Sequence, residues 1–166
     1  MENVILEIIS NKQVGKDIYE MVLKGDLSSI KNPGEFVEIK LDGYYLRRPI
    51  SVCDFSKDTL TLLYKVLGHG TKDMSTYKEG LKLDVLVNLG NGFTDLDAKK
   101  PLLVAGGIGI APMFALARRF NELKDEYFEL PEKLANINYY DVNINSYKLI
   151  KTINEIIGDS DSFNYI

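Results

Sequence analysis

The sequence holds a single cysteine, Cys53, and a single histidine, His69. One thiol excludes an internal disulfide, and it cannot supply the usual four thiolates of an iron–sulfur cluster, so no [2Fe–2S] cluster is expected in this chain. No second histidine or cysteine stands near either residue, so no metal ligand is assigned. A Ser-His-Asp triad would have to use His69, which lies between Gly68 and Gly70 in a turn-like stretch where an exposed polar residue is expected. No catalytic residue is assigned. Long apolar runs are also missing: none approaches the roughly 20 residues that a membrane helix needs. The opening Met1-Glu2-Asn3-Val4 lacks the basic stretch and apolar core of a signal peptide. Positive charge is not in excess, since the formal net charge is -4, which argues against nucleic acid as a partner. A cytoplasmic chain that engages neither membrane nor nucleic acid is expected.

What is present is a chain of 166 residues, 45% of them apolar, enough for one domain or for one domain and part of another. Up to about Leu89 it reads as short strands. Val4–Ile9 and Ile18–Leu23 are rich in Ile and Val, with Asn11 and Gly15 as turn residues between them. Glu35–Leu41 alternates polar and apolar residues, bounded by Pro33-Gly34 and Asp42-Gly43, as a half-buried strand would. Pro49–Cys53, Leu60–Val66 and Leu81–Leu89 complete about six strands, with Lys57-Asp58 as a hairpin tip. Six short strands with tight turns predict an antiparallel barrel. One helix interrupts it over Thr71–Tyr77, with the Thr71 hydroxyl as its cap.

From Pro101 the texture changes. Leu102–Ala105 is the continuous apolar run of a buried parallel strand, Gly106–Gly109 a turn, and Ala111–Lys124 a helix with Phe114, Leu116, Ala117, Phe120 and Leu123 on its buried face. This is the strand–turn–helix opening of an α/β nucleotide-binding domain. The division expected is 1–96 for the barrel and 97–166 for a partial α/β domain. The tail is rich in Asn and Tyr over Asn136–Asn145, and Tyr147–Ile157 has helical spacing ending at Gly158. The last residues, Asp159–Ile166, read as frayed.

Three segments could carry chemistry. In Tyr45-Leu46-Arg47-Arg48-Pro49-Ile50-Ser51-Val52, Arg48 offers a permanently charged fork suited to a phosphate, with the Ser51 hydroxyl three residues on. Read alone, the paired arginines are a solvated edge strand. Tyr64-Lys65-Val66-Leu67-Gly68-His69-Gly70-Thr71 joins a strand to a helix start, where glycines permit close approach and free amides attract anions. Alone it is a plain connector. Gly106-Gly107-Ile108-Gly109-Ile110-Ala111-Pro112 has the context of a phosphate-binding turn, and tight strand–helix packing would select the same glycines.

Together, in this order, the segments resemble the electron-transfer subunit of the heterotetrameric dihydroorotate dehydrogenase, a branch of the ferredoxin-reductase-like flavoproteins. The resemblance covers Val4 to about Leu123. It implies a six-stranded FAD-binding barrel followed by an incomplete nucleotide-binding domain. It implies that Arg48, Pro49, Ile50 and Ser51 hold FAD, that Leu63, Tyr64 and Lys65 line the flavin side, and that Gly70 and Thr71 grip the pyrophosphate. Gly90-Asn91-Gly92-Phe93 matches the segment that closes the family's barrel, although the family often has Pro near the position of Asn88, and on sequence alone the stretch reads equally as a hairpin turn. Gly107 and Gly109 correspond to the turn that contributes to the family's NAD site, but only the first βαβ unit is recognisable, so NAD binding stays open. The implied role is an oxidoreductase component rather than the substrate-converting subunit. It would pass electrons from NADH towards a dihydroorotate dehydrogenase-type catalytic subunit in pyrimidine biosynthesis. A stand-alone flavin reductase and a non-catalytic flavin-binding or assembly subunit remain as alternatives, and the chain reads equally as a truncated form or a short one.

Overall fold

A computed structural model describes residues 1–94 and 103–122. The expected domain boundary at 96/97, the tail helix Tyr147–Ile157 with its Gly158 cap, and the frayed end at Asp159–Ile166 lie outside the described residues.

Six antiparallel strands form a closed barrel: β1 (Glu2–Gly15), β2 (Ile18–Lys24), β3 (Phe36–Ile39), β4 (Arg48–Phe55), β5 (Thr59–Lys65) and β6 (Lys82–Leu89). Their order around the wall is β1-β2-β5-β4-β3-β6. A short helix α1 (His69–Thr76) joins β5 to β6, and a 13-residue helix α2 (Ile110–Glu122) follows a 3-10 turn at Gly107–Gly109. Among the described residues no helix is long and apolar enough to cross a membrane.

The first expected strand pair needs correction. Rather than ending at a turn around Asn11, β1 runs without a break for 14 residues. It pairs with β6 from Glu2 to Glu7 and with β2 from Glu7 to Gly15, with a register shift between Ile8 and Ser10. That irregularity bends one strand across two neighbours, which is how a small barrel closes. The turn comes later, where Asp17 adopts a left-handed φ of 59°.

The barrel interior is filled by Leu6, Ile8, Met21, Leu23, Val37, Ile39, Val52, Leu60, Leu62, Val85 and Val87, all fully buried. Burial alternates along β3 and β6, as a wall with one face inward requires. The 88–93 segment packs against the loop that precedes β3. The Phe93 amide donates to the Pro33 carbonyl at 2.8 Å. Asn88 sits at φ 56°, a conformation closed to proline, so proline at this position would require a different loop.

A second, smaller cluster lies outside the wall. Cys53, Leu63 and Ala111 are buried together, with Val14, Ile108 and Phe114 packed on them. It seats α2 against β4. Arg118 fastens the seam, with Nη1 2.9 Å from Asp54 Oδ1 and Nη2 donating to the Phe55 carbonyl at 2.8 Å. The buried positions of α2 are Ala111, Ala115 and Leu116. Small residues let the helix approach the barrel closely, so Ala115 replaces the larger Phe120 expected on that face, and Ala117 and Phe120 are half-buried. Leu123 lies outside the described residues. The buried parallel strand expected at Leu102–Ala105 does not form over Leu103–Gly106, where Val104 stays 54% exposed. A parallel strand needs flanking strands, and none adjoins this stretch among the described residues.

Candidate functional site

The two adjacent arginines have different fates. The Arg47 guanidinium turns onto the barrel wall, bonding Asp84 Oδ1 at 2.8 Å and the carbonyls of Asp84 at 3.1 Å and Glu38 at 3.4 Å. Arg48 turns towards α1. It donates to the Leu46 carbonyl and lies over the Tyr44 ring, 4.6 Å from the centroid. Among the described residues it has no carboxylate within 4.0 Å.

Arg48 packs directly on Gly70. A Cβ at Gly70 would come within 2.4–2.8 Å of the guanidinium, so only glycine admits this approach. Gly70 lies in the first turn of α1, whose N-cap is Gly68 rather than Thr71. Thr71 sits three residues inside, and its hydroxyl accepts from the amides of Leu67 and Gly68 while donating to the Gly68 carbonyl. That hydroxyl is therefore fully used in shaping the loop, and what Thr71 can offer a ligand is its main-chain amide. The amides of His69, Gly70 and Thr71 have no acceptor within the helix. A permanent cation thus lies at the partly positive end of a helix, an arrangement that suits an anion.

Beside this pole the barrel wall opens. β4 and β5 pair only from Val52↔Leu62 to Phe55↔Leu60. Beyond that point Arg48–Ser51 pair with β3 alone, and Leu63–Lys65 with β2 alone. The two half-strands diverge, leaving their facing main-chain groups without a ladder partner. Pro49 and Ser51 are exposed, and Ile50 is half-buried against the core. Leu63 and Tyr64 are 2% and 1% exposed. Leu63 packs under α2, and the Tyr64 ring turns inward, stacked on Tyr19 at 5.7 Å with its hydroxyl donating to Asn11 at 2.9 Å. Burial pushes the Tyr64 phenol up, against the pull of its bond to Asn11. These two residues leave only main-chain groups for the seam, whereas the Lys65 side chain is exposed.

No protein-family profile matches the chain. Individual relatives do. "Dihydroorotate dehydrogenase B (NAD(+)), electron transfer subunit" of Bacillus mycoides (strain KBAB4) is 44% identical over 121 residues, 68% of this chain and 47% of that protein. The protein of the same name from Caldanaerobacter subterraneus subsp. tengcongensis is 40% identical over 118 residues, 70% of this chain and 47% of that one. Over the aligned part, this chain is similar to the dihydroorotate dehydrogenase B electron-transfer subunits. It spans about half the length of the curated relatives it matches. Among solved structures, an NADH-dependent reduced ferredoxin–NADP oxidoreductase superposes with a TM-score of 0.66 at 30% identity, over 72% of this chain and 45% of that one. The six-stranded barrel is thus of the ferredoxin-reductase type.

Like the first two, the third family segment lies beside the barrel. Gly107 has φ 55°, and the space where a Cβ would stand is open at both Gly107 and Gly109. The Gly109 amide donates to the Gly106 carbonyl at 3.0 Å, tightening the turn ahead of α2. Ile108, between the glycines, packs onto the Cys53–Leu63–Ala111 cluster, so the turn stands behind the β5 edge of the seam. His69 is exposed.

Sequence reasoning missed the residues that fix this geometry. The Asn11 amide donates to the carbonyls of Met74 at 2.8 Å and Tyr77 at 3.1 Å, which ties the C-terminal end of α1 to the barrel. Tyr44 and Asp73 bond across the opposite side of α1 at 2.7 Å. Arg118 and Asp54 lock α2. Each pair is far apart in the chain, and no short motif announces it.

Proposed function

We propose that this chain binds FAD and serves as an electron-transfer flavoprotein subunit, passing electrons from NADH towards a dihydroorotate dehydrogenase-type catalytic subunit in the cytoplasm, in pyrimidine biosynthesis. The observation that carries the reading is Arg48, a guanidinium with no carboxylate partner among the described residues, held on Gly70 at the head of α1 beside an open seam of the barrel. The chemistry of this donor set fits a dinucleotide of flavin. Arg48 and the amides of Gly70 and Thr71 would hold the pyrophosphate. The seam between Arg48–Ser51 and Leu63–Lys65 offers a hydroxyl, main-chain donors and acceptors, and the apolar edge of Ile50 to a flat ring. FAD bound there supplies reversible electron chemistry, while the chain positions the ring, shields it from solvent and sets its polarity.

The turn at Gly107–Gly109 is the candidate for contact with NADH, and its place behind Leu63 brings it near the seam. No resident [2Fe–2S] cluster is proposed for this chain. Its one thiol, Cys53, is fully buried, burial pushes its pKa up to about 12, and one thiol cannot supply the usual four thiolates. Titrating the purified chain with FAD tests the reading: saturable binding that Arg48→Ala weakens supports it, and wild-type affinity in that variant overturns it.

A further inference from the structure

Arg48 and Asp73 share one tyrosine without touching each other. The Tyr44 ring carries the Arg48 guanidinium 4.6 Å from its centroid, and the Tyr44 hydroxyl donates to Asp73 Oδ2 at 2.7 Å. No ion pair joins Arg48 to Asp73 within 4.0 Å. Arg48 and Asp73 carry opposite charges on the same tyrosine, and an arginine paired with a carboxylate must give up that partner before it can take a phosphate. Tyr44 is half-buried, and its amide bonds to the Leu41 carbonyl at 3.2 Å, so the loop that presents it is anchored.

We propose that Tyr44 is a positioning residue: its hydroxyl keeps Asp73 engaged while its ring face holds Arg48 against Gly70, so the guanidinium stays free for an incoming anion. This rests on the FAD reading above. Two roles meet in one side chain because the phenol has both a face that attracts a cation and a donor at its edge. The bond to Asp73 raises the Tyr44 pKa above the ordinary phenol range.

The test is FAD affinity of the full 166-residue chain, followed by quenching of FAD fluorescence at fixed salt. Tyr44→Phe keeps the ring and frees Asp73 to pair with Arg48, so the Kd is expected to rise about threefold to tenfold. Asp73→Asn in the Tyr44→Phe background removes the competing charge and is expected to restore most of that loss. Asp73→Asn alone is expected to tighten binding, by about twofold. Tyr44→Ala also loses the shelf, is expected to weaken binding about tenfold, and is not restored by Asp73→Asn. A bond that merely braces the loop gives the opposite pattern: Asp73→Asn alone weakens binding and rescues nothing, and that result overturns the proposal. If wild type binds FAD and Arg48→Ala weakens it, but Tyr44→Phe does not, this inference alone falls. If wild type does not bind FAD, both readings fall.

Discussion

Replacing two neighbouring arginines one at a time should give opposite results. Arg47 bonds one carboxylate oxygen and two main-chain carbonyls, and its side chain is 22% exposed against 29% for Asp84. A charge-assisted bond of this kind contributes about 1.5–3 kcal/mol when well buried. Partial exposure screens it, so about 1–2 kcal/mol is expected here. Arg47→Ala should therefore lower unfolding stability by that amount in urea, and leave FAD affinity nearly unchanged. Arg48 has one main-chain acceptor and a stacking contact, so Arg48→Ala should cost less than about 1 kcal/mol of stability. It removes the proposed phosphate contact, however, and FAD affinity should fall about tenfold to hundredfold. The assays are urea unfolding followed by far-UV circular dichroism and FAD titration by fluorescence, on the same four proteins including the double variant. The two sites have separate partners, so the stability losses should add. If Arg47→Ala weakens FAD as much as Arg48→Ala does, the division of labour assigned to the pair is wrong.

Three further outcomes are expected. A methyl group in Gly70→Ala would clash with the guanidinium and push it off the head of α1, so FAD affinity should drop about tenfold. Alanine favours the helix by up to about 1 kcal/mol, so thermal stability should not fall with it. Cys53 should resist a thiol reagent in the folded protein at pH 8 and react on unfolding, as its burial requires. Because its folded pKa is raised from 9.0 to about 12, the unfolded chain loses this proton first as pH rises. Stability should then decline between those values more steeply in wild type than in Cys53→Ala, by up to about 1.4 kcal/mol per pH unit. Equal slopes in urea melts at pH 8 to 11 would count against a buried neutral thiol. The purified chain, assayed for iron and acid-labile sulfide, should contain neither in stoichiometric amount.

Much of the barrel was legible because its signals are local. The alternation over Glu35–Leu41, the Pro-Gly and Asp-Gly turns that bound it, and the Lys57-Asp58 tip each act within a few residues. The errors fell where distant partners decide. Asn11 has the composition of a turn residue, yet its amide is held within a strand by carbonyls 63 and 66 residues away. Thr71 looks like an N-cap, and it does satisfy loop amides, but from inside the helix that Gly68 begins. Arg47 and Arg48 are equivalent in sequence, and only the fold brings Asp84 to one and Gly70 to the other. The seam between β4 and β5 has no sequence signature at all. It arises because the ladder between them ends at Val52↔Leu62 while each strand continues with another partner.

On the proposed reading, Arg48, the head of α1 and the seam form one site for a flavin dinucleotide. Titration of the purified chain with FAD, and separately with FMN, tests it most directly, read from the visible flavin band and the bound stoichiometry. One FAD per chain with a shifted band is expected, and FMN held far more weakly because it lacks the pyrophosphate that Arg48, Gly70 and Thr71 would grip. Equal affinity for FAD and FMN, or no binding of either, would contradict it.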